Sequence, residues 1–239
     1  MDIRGIVKFS LLDYPGKVAC IIFTSHCNFR CPFCHNPVLI FDPESQPAIT
    51  ETEFMHFLDH RTGKLDGVVI TGGEPTLQKD LPEFCRKVKA KGFAIKLDTN
   101  GSNPAVVEAM LKEHLIDAFG LDYKAPAAQY NQLTGNPLPD LAERVQKVIK
   151  MAQEYGIPAD VRTTVHRDLL EPADLAAMRD ELTELGVHDW TLQQFNPVEV
   201  LDDVLTMRKT YTDSELLAIA RSFKSGRTRL RGLRGIVMD

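Results

Sequence analysis

The 239-residue sequence has no apolar run longer than residues 18–23, far short of the roughly 18 residues that span a bilayer. Asp2, Arg4, Lys8 and Asp13 interrupt its start, so the apolar core of a signal peptide is missing there. Positive charge is not in excess. The formal net charge is −5, which argues against a global basic field for nucleic acid. Basic residues gather only near the end, at Lys224, Arg227, Arg229, Arg231 and Arg234. Arg227, Arg229 and Arg231 alternate at strand period and read as a solvated strand face, a docking patch for an acidic partner being the other option. Cysteine is scarce and odd in number: there are five, three of them within eight residues, which is not how a disulfide framework is spaced. The expectation is a cytoplasmic protein with neither a membrane nor a nucleic-acid partner.

What is present is an ordinary globular composition, 44% hydrophobic and 26% charged, able to bury a core without disulfides. Apolar, β-branched runs predict strands over 18–24, 67–71, 94–98, 118–122, 159–165 and 190–195. Helical patterns fall between and after them, over 51–61, 81–91, 104–113, 141–155, 172–185 and 214–224. Thr50 and Glu53 read as a capping box, Asp213 as a start signal, and Gly92, Gly156 and Gly186 as left-handed helix ends. Residues 126–139, punctuated by proline and glycine, read as a long surface loop. Strand–helix alternation implies an α/β fold of parallel strands with right-handed crossovers. Six units favour a partial (β/α)6 TIM-like barrel, a doubly wound open sheet being the alternative. The length suits a single domain over 1–239, with its core at about 17–222 between a lead-in and a short tail.

The chemistry concentrates in Cys27-Asn28-Phe29-Arg30-Cys31-Pro32-Phe33-Cys34, directly after the first strand. Three thiolates this close in one loop can converge on a soft metal centre. An iron–sulfur cube needs four ligands, so three cysteines leave one iron open to a small molecule. A zinc knot completed by His26 or His35 is the competing reading, although structural zinc sites draw ligand pairs from two separated segments. Cys20 and Cys85 read as small buried apolar residues. Further polar groups end the later strands: Thr71-Gly72-Gly73-Glu74-Pro75, Asp98-Thr99-Asn100-Gly101, Asp122-Tyr123-Lys124, Arg162 with Thr164, and Gln194 with Asn196. Each alone is an ordinary turn. Their shared position at strand C-terminal ends is where parallel α/β folds assemble active sites.

Taken together, Cys27, Cys31 and Cys34, Gly72-Gly73-Glu74 and Asp98-Thr99-Asn100-Gly101 resemble the radical S-adenosylmethionine (SAM) superfamily. Within it the chain looks like the activating enzymes of glycyl-radical enzymes, nearest to those serving the anaerobic ribonucleoside-triphosphate reductase. The opening 9–17 (FSLLDYPGK), Cys31-Pro32-Phe33-Cys34-His35-Asn36 and Leu121-Asp122-Tyr123-Lys124 carry that likeness. The resemblance implies a radical SAM core in which the three cysteines hold one [4Fe–4S] cluster whose open iron chelates SAM. It implies that Gly72, Gly73 and Glu74 bind the SAM amino group and that the Phe33 backbone lies near the adenine. Asp98 and Asp122 would border the cofactor, with a monovalent cation as one bridging option. Lys124 and Arg162 would meet the carboxylate or ribose, or the partner's peptide, with Lys124 among the catalytic residues. The implied reaction is reductive cleavage of SAM and removal of a hydrogen atom from a glycine of the partner. The reductase is the implied partner, and a flavodoxin or ferredoxin-type protein the implied electron donor. His26 stands where the family usually has glycine, and Asn196 where pyruvate formate-lyase activating enzyme has histidine. Two alternatives stay open: a radical SAM enzyme acting on a small molecule in the manner of a deazapurine synthase, and a cluster-carrying electron-transfer module.

Overall fold

The computed structural model describes residues 1–233, so Arg234 of the C-terminal basic cluster lies outside the described residues. Its strands are β1 (Ile3–Ser10), β2 (Ala19–Thr24), β3 (Gly67–Gly72), β4 (Ala94–Thr99), β5 (Ala118–Asp122), β6 (Ala159–Val165), β7 (Asp189–Gln194) and β8 (Arg227–Arg231). The helices are α1 (Val38–Phe41), α2 (Glu51–Asp59), α3 (Leu81–Ala90), α4 (Pro104–Lys112), α5 (Tyr130–Thr134), α6 (Leu141–Glu154), α7 (Pro172–Glu184), α8 (Val204–Met207) and α9 (Asp213–Ser222). Sheet order is chain order, from β1 to β8. The fold is α/β on a largely parallel sheet. By contacts the chain divides into two compact units.

The first unit comprises Met1–Asn28, Asn36–Gly120 and Lys147–Ala159. β2, β3 and β4 run parallel, with Ile21 opposite Val69 and Val69 opposite Lys96. Cys20, Ile22, Val68, Ile70, Ile95 and Leu97 are fully buried, each aliphatic side chain contributing about 1.5–3 kcal/mol. α2 starts on the expected capping box, where Thr50 Oγ1 accepts from Glu53 N–H and Glu53 accepts from Thr50 N–H. Its Phe54 stacks on Phe84 of α3, with ring centroids 5.6 Å apart. Gly92 and Gly156 carry positive φ at helix ends, as expected.

The second unit comprises Phe29–His35, Leu121–Gln146 and the described residues from Asp160 onward. β6, β7 and β8 are parallel, with Val161 opposite Trp190 and Trp190 opposite Thr228. Trp190 is fully buried; its Nε1–H donates to Thr163 Oγ1 at 2.9 Å, and the Arg179 guanidinium covers its ring.

Three expectations need correcting. β1 lies before the first expected strand and pairs antiparallel with β2, Ile6 opposite Ile22. Residues 126–139 are not merely a surface loop, because α5 forms there and buries Tyr130, Leu133 and Thr134. The cap of α9 is Thr212, whose side chain accepts from Glu215 N–H, with Asp213 already inside the helix.

Candidate active site

In the first unit, the ends of β2, β3 and β4 build one hydrogen-bonded group. Gly73 N–H donates to Thr24 O at 2.8 Å and Glu74 N–H to His26 O at 2.7 Å. A Cβ on Gly73 would sit 1.9 Å from His26 O, and one on Gly72, with φ +118°, 2.3 Å from Thr24 N. Only glycine lets the end of β3 lie against the turn that delivers Cys27. His26 makes that turn at φ +62°, in the left-handed region that favours glycine.

Glu74 is fully buried. Its Oε1 accepts from Thr76 N–H (3.0 Å), Thr76 Oγ1 (2.6 Å) and Thr99 Oγ1 (2.7 Å), and its Oε2 from Asn100 N–H (2.7 Å). Burial pushes its carboxyl above the ordinary range, and the four donors only partly offset that. Asp98 pairs with the buried Lys96. Asn100 extends the group toward the cysteine loop. Its Nδ2 donates to Asn28 Oδ1 at 3.0 Å and points at Cys27 Sγ at 3.9 Å. In the sequence Asn28 and Ser102 carry no signal of a role, and Asn100 shows only as part of a turn. The signal available was Asn100's place immediately beyond a strand end. Cys20 and Cys85 are wholly buried, and burial pushes both thiols up to about 12.

In the second unit, Cys31 is buried and Cys34 half-buried, with Cys34 N–H donating to Cys31 O at 3.0 Å. Leu201 N–H donates to Cys34 O and Asp202 N–H to Pro32 O, so the segment after β7 clasps this stretch. Asp122, at the end of β5, accepts from Arg162 Nε–H at 2.7 Å and from Lys124 Nζ at 3.1 Å. Burial alone would raise the Asp122 carboxyl, yet Lys124 and Arg162 hold it well below the usual carboxylate range. Burial alone would lower Lys124, but the charges of Asp122 and Cys31 keep it raised. The Lys124 ammonium stands 5.5 Å from the centroid of the Phe33 ring. His35 contacts Asn196 O at 3.1 Å through Nε2 and lies beside Phe195. The structure thus gathers Gly72, Gly73 and Glu74 with Cys27, and separately Phe33, Asp122, Lys124 and Arg162. A polar cleft of about 700 Å³, lined by Gln129, Gln132, Arg167, Asp168, Glu171 and Arg208 among others, includes none of these residues.

The donor chemistry fits an iron–sulfur cluster. Three soft thiols stand on one short loop, and an amide N–H points at one of them.

The radical SAM superfamily profile matches residues 21–178. This chain is a radical SAM protein. It is 33% identical over 227 residues to a Methanocaldococcus jannaschii protein assigned by name to the glycyl-radical enzyme activating enzymes, covering 92% of each chain. To a pyruvate formate-lyase-activating enzyme of Staphylococcus epidermidis it is 26% identical, covering 83% of this chain and 79% of that one. Among solved structures, Streptococcus suis SuiB bound to S-adenosylmethionine superposes over 90% of this chain with a TM-score of 0.67 at 17% identity, a likeness of fold. The chain spans about half the length of SuiB, 50%. Radical SAM proteins use a [4Fe–4S] cluster and SAM, and these are its cofactors. No helix among the described residues is long and apolar enough to cross a membrane.

Proposed function

We propose that this radical SAM enzyme is an activase that generates a glycyl radical on a partner protein in the cytoplasm. Its partner is the anaerobic ribonucleoside-triphosphate reductase, and its electrons come from a flavodoxin or ferredoxin-type donor. The observation that supports the reaction class is the match, 33% identity over 92% of both chains, to a relative named as an activase. The choice of reductase rests on the resemblance of the motifs around Cys31–Asn36 and Leu121–Lys124.

Cys27, Cys31 and Cys34 hold the cluster, which when bound supplies the electron that cleaves the SAM sulfonium. Gly72 and Gly73 present backbone to the SAM amino group, with Glu74 behind them, and the Phe33 backbone flanks the adenine. Lys124 and Arg162, both already oriented by Asp122, offer donors to the carboxylate or ribose. Asp98 and Asp122 border the cofactor, a monovalent cation being one bridge. The protein's part is positioning and the exclusion of water, the hard chemistry belonging to the cofactors.

The test is to incubate reduced protein, SAM and purified reductase without oxygen. A glycyl-radical doublet should appear on the reductase. Brisk SAM cleavage with no doublet there, and a doublet on another glycyl-radical protein, would reassign the partner and leave the reaction class standing. A second reading, action on a small molecule, draws on proteins named as GTP 3′,8-cyclases. One from Thermococcus kodakarensis is 29% identical over 62% of this chain and 48% of that one. Another, from Metallosphaera sedula, reaches 74% of this chain but only 55% of its own length, and that shortfall on the cyclase side places this reading second.

A further inference from the structure

The thiol of Cys27 has a neighbour whose orientation is fixed from every side. Asn100 is 5% exposed, and its backbone N–H is bound by the buried Glu74 at 2.7 Å. Its side-chain Oδ1 accepts from Ser102 N–H at 2.9 Å. That bond settles which end of the amide is oxygen, so the amino group faces the other way. One amino hydrogen is taken by Asn28 Oδ1 at 3.0 Å; Asn28 is itself held by donating from Nδ2 to Ser102 Oγ at 2.9 Å. The other is left to Cys27 Sγ, 3.9 Å away, a long contact of the kind sulfur accepts. The arrangement is preorganised.

We infer that Asn100 is a positioning and tuning residue that sets the reduction potential of the cluster through an N–H···S interaction with Cys27. The inference rests on the reading of Cys27 as a cluster ligand. Hydrogen bonds to the sulfurs, together with net charge and burial, set iron–sulfur potentials. Reduction adds negative charge that spreads onto the thiolates, and an N–H dipole aimed at one of them stabilises that charge. The interaction therefore raises the potential, easing reduction by a weak biological donor. Removing it makes the cluster harder to reduce.

The experiment compares anaerobically reconstituted wild type with Asn100→Ala, Asn100→Ser and Ser102→Ala, by iron content, circular dichroism and redox titration followed by electron paramagnetic resonance. Asn100→Ser offers a hydroxyl to the Ser102 N–H but has no amide to reach the sulfur. Both Asn100 variants should hold wild-type iron with a reduction equilibrium constant lowered roughly three- to tenfold, tenfold being about 59 mV for one electron. Ser102→Ala, which leaves the Asn100 amide in place, should stay within about twofold of wild type. Potentials unchanged in both Asn100 variants overturn the inference. So does loss of iron from both while the fold is kept, because Asn100 would then be needed to place Cys27 and not to tune it. A further measurement keeps Asn100 in place and does not depend on those variants. With side-chain 15N-asparagine in an Asn28→Ala background, pulsed resonance of the reduced cluster should show a weakly coupled 15N, and its absence counts against the interaction. Full iron and an unaltered spectrum in Cys27→Ala would instead remove the underlying ligand assignment, an outcome distinct from all of these.

Discussion

At Glu74 a single residue is asked for two things. The resemblance gives its carboxylate the SAM amino group, while the structure commits both oxygens to Thr76, Thr99 and Asn100 inside the protein. Two of those donors are backbone N–H groups that cannot turn away. Leaving a buried donor unsatisfied costs about 1–3 kcal/mol each, so Glu74→Ala should lose roughly 2–6 kcal/mol of stability. The thermal midpoint without SAM should therefore fall by several degrees or more. An unchanged midpoint combined with weakened SAM binding would return the carboxylate to the cofactor. The residue types of this site were legible in the sequence, because Cys27-x3-Cys31-x2-Cys34 and Gly72-Gly73-Glu74 are short and chemically marked. Their partners were not. Thr76, Thr99, Asn28 and Ser102 are common polar residues whose meaning comes only from what the chain folds next to them. His26 lies between these cases: its identity looks out of place in the sequence, and its φ of +62° shows why.

Beyond β7 the chain makes a long excursion through α8 before α9, fastened by several weak bonds. Gln194 Nε2 donates to Tyr211 O and Tyr211 Oη to Leu170 O, both at 2.9 Å, and Leu201 and Asp202 N–H groups hold the cysteine stretch. His166, just past the end of β6, lies fully buried with its ring edge-on to Phe195, centroids 5.0 Å apart. Its Nδ1 accepts from Asp168 N–H at 3.1 Å, so the neutral ring carries its proton on Nε2. Burial pushes this imidazole below its ordinary value of 6.5, and the Asp168 charge only partly resists. A depressed folded-state value means that the unfolded chain takes the proton first. The stability contributed is full above the ordinary value and is lost as pH falls through the depressed one. Urea midpoints of the loaded protein should thus fall between pH 7.5 and 5.5, and His166→Gln, which retains an acceptor but cannot titrate, should flatten that fall. Equal slopes in the two proteins would show that other groups carry the acid dependence. Elements like these differ in how openly the sequence declares them. β5 and β6 matched their expected bounds because an apolar run in β5 and a β-branched alternation in β6 are framed by turns. β1 was missed because Arg4, Gly5 and Lys8 break its pattern, and its edge position leaves most of it half-exposed. α5 was hidden by the prolines and glycine around it, although Tyr130 and Leu133 anchor it in the core.

For the whole molecule the open choice is which hydrogen the enzyme removes. The cysteine loop and strand-end motifs suit either a protein glycine or a small molecule, since the cofactor chemistry is common to both. What separates the readings is how much of each relative is matched. The M. jannaschii and S. epidermidis activases are matched over 92% and 79% of their own length, whereas the T. kodakarensis and Metallosphaera sedula cyclases are matched over 48% and 55% of theirs. An isotope test asks the question directly. Reductase prepared with glycine deuterated at Cα should transfer deuterium to 5′-deoxyadenosine, about one label per glycyl radical formed. The radical left behind should lose the doublet splitting that the remaining α-hydrogen gives the unlabelled protein. GTP offered in place of the reductase should remain unconsumed, and deuterium on its ribose should stay there. Transfer from the nucleotide, with none from the reductase, would favour the small-molecule reading while leaving the cluster, the cofactor and the Asn100 interaction to be judged on their own measurements.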